Sequence, residues 1–86
     1  MKDFSTNKVI EVVNSILENS NLSEQQLDED LTMQGMTSMA FIKIIVTLEE
    51  EFDCEIPDSK LLIQEMNSIK KILTVLGEIK EILYNF

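Results

Sequence analysis

The sequence predicts an all-helical fold. Glycine and proline, which interrupt helices, are scarce, with two Gly and one Pro among 86 residues. Aromatic residues are few, whereas the helix-favouring residues Leu, Ile, Glu and Lys are common. Three segments carry apolar residues at spacings of three and four, which place them on one face of a helix. A chain of this length forms one domain, which we assign to residues 1–86.

The first predicted helix runs from Phe4 to Leu17, and Ser5 or Thr6 is its expected N-cap. A long connection follows, from about Asn19 to Thr37. A connection of this length is unusual in a compact domain and generally has a functional reason. Its interspersed leucines predict that it packs on the helices, with a short helical turn at Ser23 to Leu27.

The second helix is predicted from Ser38 to Phe52, with Ser38 or Thr37 as its N-cap. Pro57 then breaks the chain, because a proline biases the preceding residue to an extended conformation. A short helix is expected from about Lys60 to Gln64, and a last helix from Ile69 to about Tyr84. The sequence therefore predicts three main helices and one short helix.

The side-chain inventory excludes several classes of protein. There is no His to serve as a general base, and the one cysteine, Cys54, has no partner for a disulfide or a zinc site. A reduced, cytoplasmic setting is the simplest interpretation. The net charge of −9 argues against nucleic acid and anionic membranes as partners. This acidity either attracts partners with basic patches or only keeps the protein soluble and monomeric.

Ser38 is the residue that stands out by position. It follows a turn containing Gly35 and opens a helix, where free N–H groups and the helix dipole stabilise an anion. The alternative is that Ser38 is only an N-cap. Self-contained catalysis by Ser38 is not expected, because no His is present and Lys43 lies more than one helical turn away. If Ser38 reacts, another enzyme has to supply the base.

A wider set of residues resembles the acyl and peptidyl carrier protein family. The resemblance covers roughly Leu27 to Leu62 and rests on the order and spacing of four short strings: Asp30-Leu31, Gly35-Met36-Thr37-Ser38-Met39, Leu48-Glu49-Glu50-Glu51-Phe52 and Glu55-Ile56-Pro57-Asp58. It implies a four-helix carrier-protein bundle with a long first loop and a short third helix. It also implies that a phosphopantetheinyl transferase attaches 4'-phosphopantetheine from coenzyme A to Ser38. The chain itself would then be a carrier and not an enzyme.

The second helix is the main docking element that this resemblance implies, together with the preceding loop. The expected partner-docking residues surround Ser38 and continue along the helix: Met36, Thr37, Met39, Phe41, Ile42, Val46, Glu49 and Glu50. If the helix turns its other apolar residues to the core, some of Met39, Phe41, Ile42 and Val46 have to be exposed as an apolar stripe. The acids Glu49 to Glu51 are either a partner-facing patch or a solvated helix end. The methionines are taken by default as residues that fill gaps in the packing.

Two residues depart from the family pattern. Thr37 replaces the Asp or His that often precedes the modified serine, and Met39 replaces a Leu or Ile. Few acids near Ser38 and an apolar stripe resemble carriers of nonribosomal peptide or polyketide assembly, which receive an acyl or aminoacyl group from a loading enzyme and pass it to synthase enzymes. The alternatives are a fatty-acid carrier and a binding module of the same fold that is never primed. We expect a free-standing monomer.

Overall fold

The computed structural model describes residues 6–17, 21–57, 59 and 61–84, and of residues 80–84 it describes the backbone only. Three α-helices are present, α1 (Thr6–Ile16), α2 (Ser38–Phe52) and α3 (Ile69–Tyr84). Short 3₁₀ segments lie between them at Glu24–Gln26, Leu31–Gln34 and Ile63–Glu65. Within these described ranges the chain has no β-strand, which confirms the all-helical prediction.

The predicted bounds of α2 and α3 agree with the structure, and α1 ends one residue before the predicted Leu17. The predicted start of α1 at Phe4 lies outside the described residues. Of the short helix expected from Lys60 to Gln64, Lys60 lies outside the described residues, and the described remainder enters a 3₁₀ turn at Ile63–Glu65. Leu62 precedes that turn in an extended conformation and makes no side-chain cap, so nothing starts a longer helix there. A fourth α-helix is therefore not found in the described part of the chain.

The core contains apolar side chains from all three helices and from the connection between α1 and α2. α1 contacts both α2 and α3. The connection contributes Leu22, Leu31 and Met36, which are all buried. This confirms that the connection packs on the helices.

Hydrogen bonds attach the start of this connection to α1. The side-chain amide of Asn14 donates to the Leu22 carbonyl at 2.9 Å, and its oxygen accepts from the Leu22 N–H at 2.9 Å. Ser23 then caps the 3₁₀ segment Glu24–Gln26, and the Gln26 side chain accepts from the Ser23 N–H at 3.1 Å. The helical turn predicted at Ser23 to Leu27 is thus present as a 3₁₀ turn with a capping box.

None of the described helices is both long and apolar enough to cross a bilayer. Likewise, no group of three or more His, Cys, Asp or Glu side chains in the described ranges is placed to hold a metal ion.

Candidate functional site

Ser38 is the first residue of α2, and its side chain is exposed. Thr37 is the N-cap, since its hydroxyl oxygen accepts from the Ala40 N–H at 3.2 Å. The first backbone bond of the helix runs from the Phe41 N–H to the Thr37 carbonyl at 2.9 Å. Of the two candidates for the cap, the structure thus selects Thr37, and the Ser38 hydroxyl is not needed for that role.

The turn before α2 directs the chain so that Ser38 faces solvent. Gly35 adopts a left-handed conformation with φ of 95°, and an added Cβ there would meet nothing within 4 Å. Glycine is therefore required by the backbone conformation and not by crowding. Leu31 and Met36, on either side of this turn, are buried and linked by a bond from the Met36 N–H to the Leu31 carbonyl at 3.1 Å. These two anchors hold the turn against the core.

Asp30 stabilises the same loop at its start. Its carboxylate accepts from the Thr32 hydroxyl at 2.6 Å and from the Thr32 N–H at 3.0 Å. These hydrogen bonds, the side-chain bond first, lower the pKa of Asp30 below its ordinary value, with a smaller contribution from the charge of Lys71. The Leu31 N–H also donates to the Asn67 carbonyl at 2.8 Å. Hydrogen bonds thus stabilise the loop before Ser38 internally and also link it to the segment preceding α3.

The surroundings of Ser38 suit an attached anion. The N–H groups of Ser38 and Met39 precede the first donor of the helical bond pattern, so no carbonyl of α2 pairs with them. The first turn of α2 contains no acidic residue. A phosphodiester on the Ser38 oxygen would therefore lie at the positive end of the helix dipole, without a neighbouring carboxylate in that turn to repel it.

An apolar stripe begins next to Ser38 and follows α2. Met39, Ile42 and Val46 are exposed by 71%, 52% and 46%, at spacings of three and four that place them on one face of the helix. A groove lies beside the stripe, between α2 and the segment that follows it, and is lined mainly by Ile42, Ile45, Val46, Ile56, Pro57 and Leu61. The expectation that part of the apolar set of α2 is exposed is confirmed.

Two of the expected docking residues are buried. Phe41 is 4% exposed and Met36 is 5% exposed, and both belong to the core. Phe41 shares the inward face of α2 with Ile44, Ile45 and Leu48, since these positions recur at intervals of three and four. Neither side chain is available to a partner, which corrects the sequence-based assignment of both. Thr37 and Glu50 are exposed, as a docking role requires.

The three consecutive acids of α2 have different environments. Glu49 is half-buried, and its carboxylate accepts from the Ile56 N–H at 2.8 Å. Glu51 forms an ion pair with Lys8 of α1 at 2.9 Å. The run is therefore not one uniform acidic patch, and the docking role of Glu49 and Glu50 stays a prediction. Glu49 also closes the loop after α2, a role that sequence reasoning missed because the bond joins residues seven positions apart.

Cys54 is half-buried beside this loop. Burial raises the pKa of its thiol, and the charges of Glu49 and Asp53 raise it further. The thiol is therefore protonated near neutral pH and is a weak nucleophile. The geometry offers no second attachment residue here.

The sequence matches the family model described as "Phosphopantetheine attachment site" over residues 7–76. It is similar to the protein named "Acyl carrier protein, mitochondrial" from Saccharomyces cerevisiae, with 36% identity over 61 residues. That alignment covers 66% of this chain and 49% of the relative, so the chain spans about half the length of the curated relative. No solved structure matches the chain. Because the family model covers most of its length, the chain belongs to the phosphopantetheine attachment family, whose domain binds covalent 4'-phosphopantetheine.

Proposed function

We propose that Ser38 is the residue that carries the 4'-phosphopantetheine arm. The observation that carries this proposal is an exposed serine hydroxyl at the first position of α2, with the capping role taken by Thr37. The hydroxyl is thus accessible to another enzyme, and the helix terminus stabilises the phosphodiester once it forms. The chain contains no His that would let Ser38 react on its own.

The priming step is a phosphoryl-type transfer catalysed by a phosphopantetheinyl transferase. The Ser38 oxygen attacks the phosphorus of coenzyme A that bears the pantetheine arm. A new P–O bond forms to Ser38, and the bond from that phosphorus to the adenosine bisphosphate leaving group breaks. The serine proton passes to a base that the transferase supplies. The thiol at the end of the arm then attacks the carbonyl of an activated cargo that the loading enzyme supplies: the C–S bond forms, the bond from the carbonyl to the activating group breaks, and the thiol proton passes to a base of that enzyme.

Intact-protein mass spectrometry tests the attachment residue. Incubation with coenzyme A and a broad-specificity transferase is expected to add one phosphopantetheinyl group. Ser38→Ala is expected to block the gain, whereas Ser59→Ala, which removes another exposed serine, is expected to leave it intact. A protein that gains no mass, or a Ser38→Ala variant that still gains it, contradicts the proposal.

The surface beside Ser38 supports a role in nonribosomal peptide or polyketide assembly, with an acyl or aminoacyl cargo. The first turn of α2 contains no acid, and Met39, Ile42 and Val46 form an apolar stripe. Apolar contacts of this kind provide binding free energy without charge pairing. The partners on this proposal are the transferase, a loading enzyme and downstream synthase enzymes, and the carrier acts as a cytoplasmic monomer.

A second candidate is an acyl carrier of the kind for which the yeast relative is named. The observation in its favour is the 36% identity to that relative, although the chain spans only 49% of the relative's length. The mass of the loaded arm isolated from the native host distinguishes the two candidates. An aminoacyl or polyketide group supports the first candidate, and a simple fatty acyl group supports the second.

A further inference from the structure

We propose that Met39 is a modification site at which oxidation to the sulfoxide slows the priming of Ser38. The proposal rests on the assignment of Ser38 as the attachment residue. It concerns a property of this surface that is separate from the attachment itself, namely that an oxidisable thioether forms part of the apolar contact with the priming enzyme.

The methionines of the described chain fall into two groups. Met36 and Met66 are 5% and 0% exposed and fill the core, as expected for gap-filling residues. Met33 and Met39 are 81% and 71% exposed. Peroxide therefore reaches the thioethers of Met33 and Met39 directly, whereas the other two are shielded by the packed interior.

Met39 differs from Met33 in its place on the surface. It follows Ser38 directly in the first turn of α2 and starts the stripe that continues with Ile42 and Val46. An enzyme that brings its reacting phosphate to the Ser38 oxygen has to cover this neighbouring side chain. Met33 lies instead in the 3₁₀ segment Leu31–Gln34, outside the helical stripe. Met33 is therefore the matched control: it is at least as exposed as Met39, but its oxidation leaves the stripe on α2 unchanged.

The oxidation is a two-electron reaction with a hydroperoxide such as hydrogen peroxide. The O–O bond of the peroxide breaks, one oxygen forms a bond to the thioether sulfur, and the other leaves as water. The sulfur is oxidised and the peroxide is reduced. The product is a polar sulfoxide in place of an apolar thioether. Burial of the apolar thioether under a partner's apolar surface contributes a favourable transfer free energy. The polar sulfoxide does not contribute it, so the partner binds more weakly.

The experiment uses the unprimed full chain, because the thiol of the arm would itself react with peroxide. The protein is treated with dilute hydrogen peroxide, the peroxide is removed with catalase, and peptide mapping measures sulfoxide at each methionine. The priming rate with coenzyme A and a transferase is then compared for treated and untreated samples of the same protein. Met39→Leu and Met33→Leu are measured in the same way, so each variant provides its own untreated reference.

We expect sulfoxide at Met33 and Met39 before Met36 and Met66. We expect treatment to slow priming about tenfold, the change that corresponds to a loss of ~1.4 kcal/mol of binding free energy. Met39→Leu is expected to abolish this sensitivity and Met33→Leu to retain it. Equal priming of treated and untreated protein, or sensitivity that disappears in Met33→Leu, refutes the role of Met39. If the untreated protein is not primed at all, the attachment assignment fails and the present proposal fails with it.

Discussion

The two glycines of the chain provide a matched pair of substitutions with opposite expected effects. Gly35 has a φ of 95°, and Gly77 lies within α3. A Cβ added at either position would meet no atom within 4 Å. Changing each glycine to alanine therefore isolates the effect of backbone conformation from that of steric contact.

The magnitudes follow from the conformation of each residue. A left-handed conformation costs an L-residue about 1–2 kcal/mol, and the reduced entropy of the unfolded chain offsets about 0.4–1 kcal/mol of it. We therefore expect Gly35→Ala to lower the free energy of unfolding by about 1 kcal/mol. Gly77→Ala replaces a poor helix former with the best one, so we expect it to raise that free energy by about 0.8–1 kcal/mol.

Urea denaturation followed by circular dichroism measures both changes. The two variants should differ by about 2 kcal/mol in the free energy of unfolding, with unchanged slopes against urea. Thermal midpoints should move in opposite directions, by about 4–8 °C for each kcal/mol. A Gly35→Ala protein as stable as the original would show that the turn before Ser38 does not need a left-handed residue. The account of how that turn presents the serine would then be refuted.

Three further predictions concern the loop and the cap that position Ser38. Thr37→Ala removes the N-cap of α2 and should lower the free energy of unfolding by about 1 kcal/mol in urea denaturation, whereas Thr37→Ser should retain most of it. The hydrogen bonds from Thr32 lower the folded-state pKa of Asp30. They therefore stabilise the folded protein above the unfolded carboxyl pKa of ~3.9. This stabilisation is lost as the pH falls through the lower folded-state pKa. Denaturation measured from pH 6 to pH 2.5 should show a weaker acid dependence in Asp30→Asn, and an identical pH profile would contradict this role. Leu31→Ala should lower the free energy of unfolding by about 2–5 kcal/mol, because the Leu31 side chain is fully buried. Leu62 is half-exposed, so Leu62→Ala is the control, and an equal loss in both variants would refute the assignment of Leu31 to the core.

The helices themselves were predictable from local signals. The apolar periodicity and polar cap residues place α2 at Ser38–Phe52 and α3 at Ile69–Tyr84, and these bounds agree with the structure. The short third helix was not predictable in the same way. Its segment has a possible cap but few residues, and the extended Leu62 limits it to the 3₁₀ turn Ile63–Glu65.

The candidate site was predictable in part. The sequence alone predicts that Ser38 follows a glycine turn and begins a helix. It also contains the four short strings that resemble the carrier family. The docking residues were not resolved by the same reasoning. An apolar residue on α2 is compatible with the core or with the surface, and periodicity alone does not separate Phe41 from Met39 or Ile42.

Residue types and local patterns were thus enough to predict the helical class, the extents of α2 and α3, the lack of a histidine base and the placement of Ser38 at the start of α2. These features depend on residue type and on neighbours within a few positions. The structure resolved the choice between two local cap candidates in favour of Thr37. The inward orientation of Phe41 and the bond from the Ile56 N–H to Glu49 were not predictable from local pattern. These last two features depend on how α2 packs against α1 and on where the following loop returns, and both are set by contacts between residues farther apart in the chain.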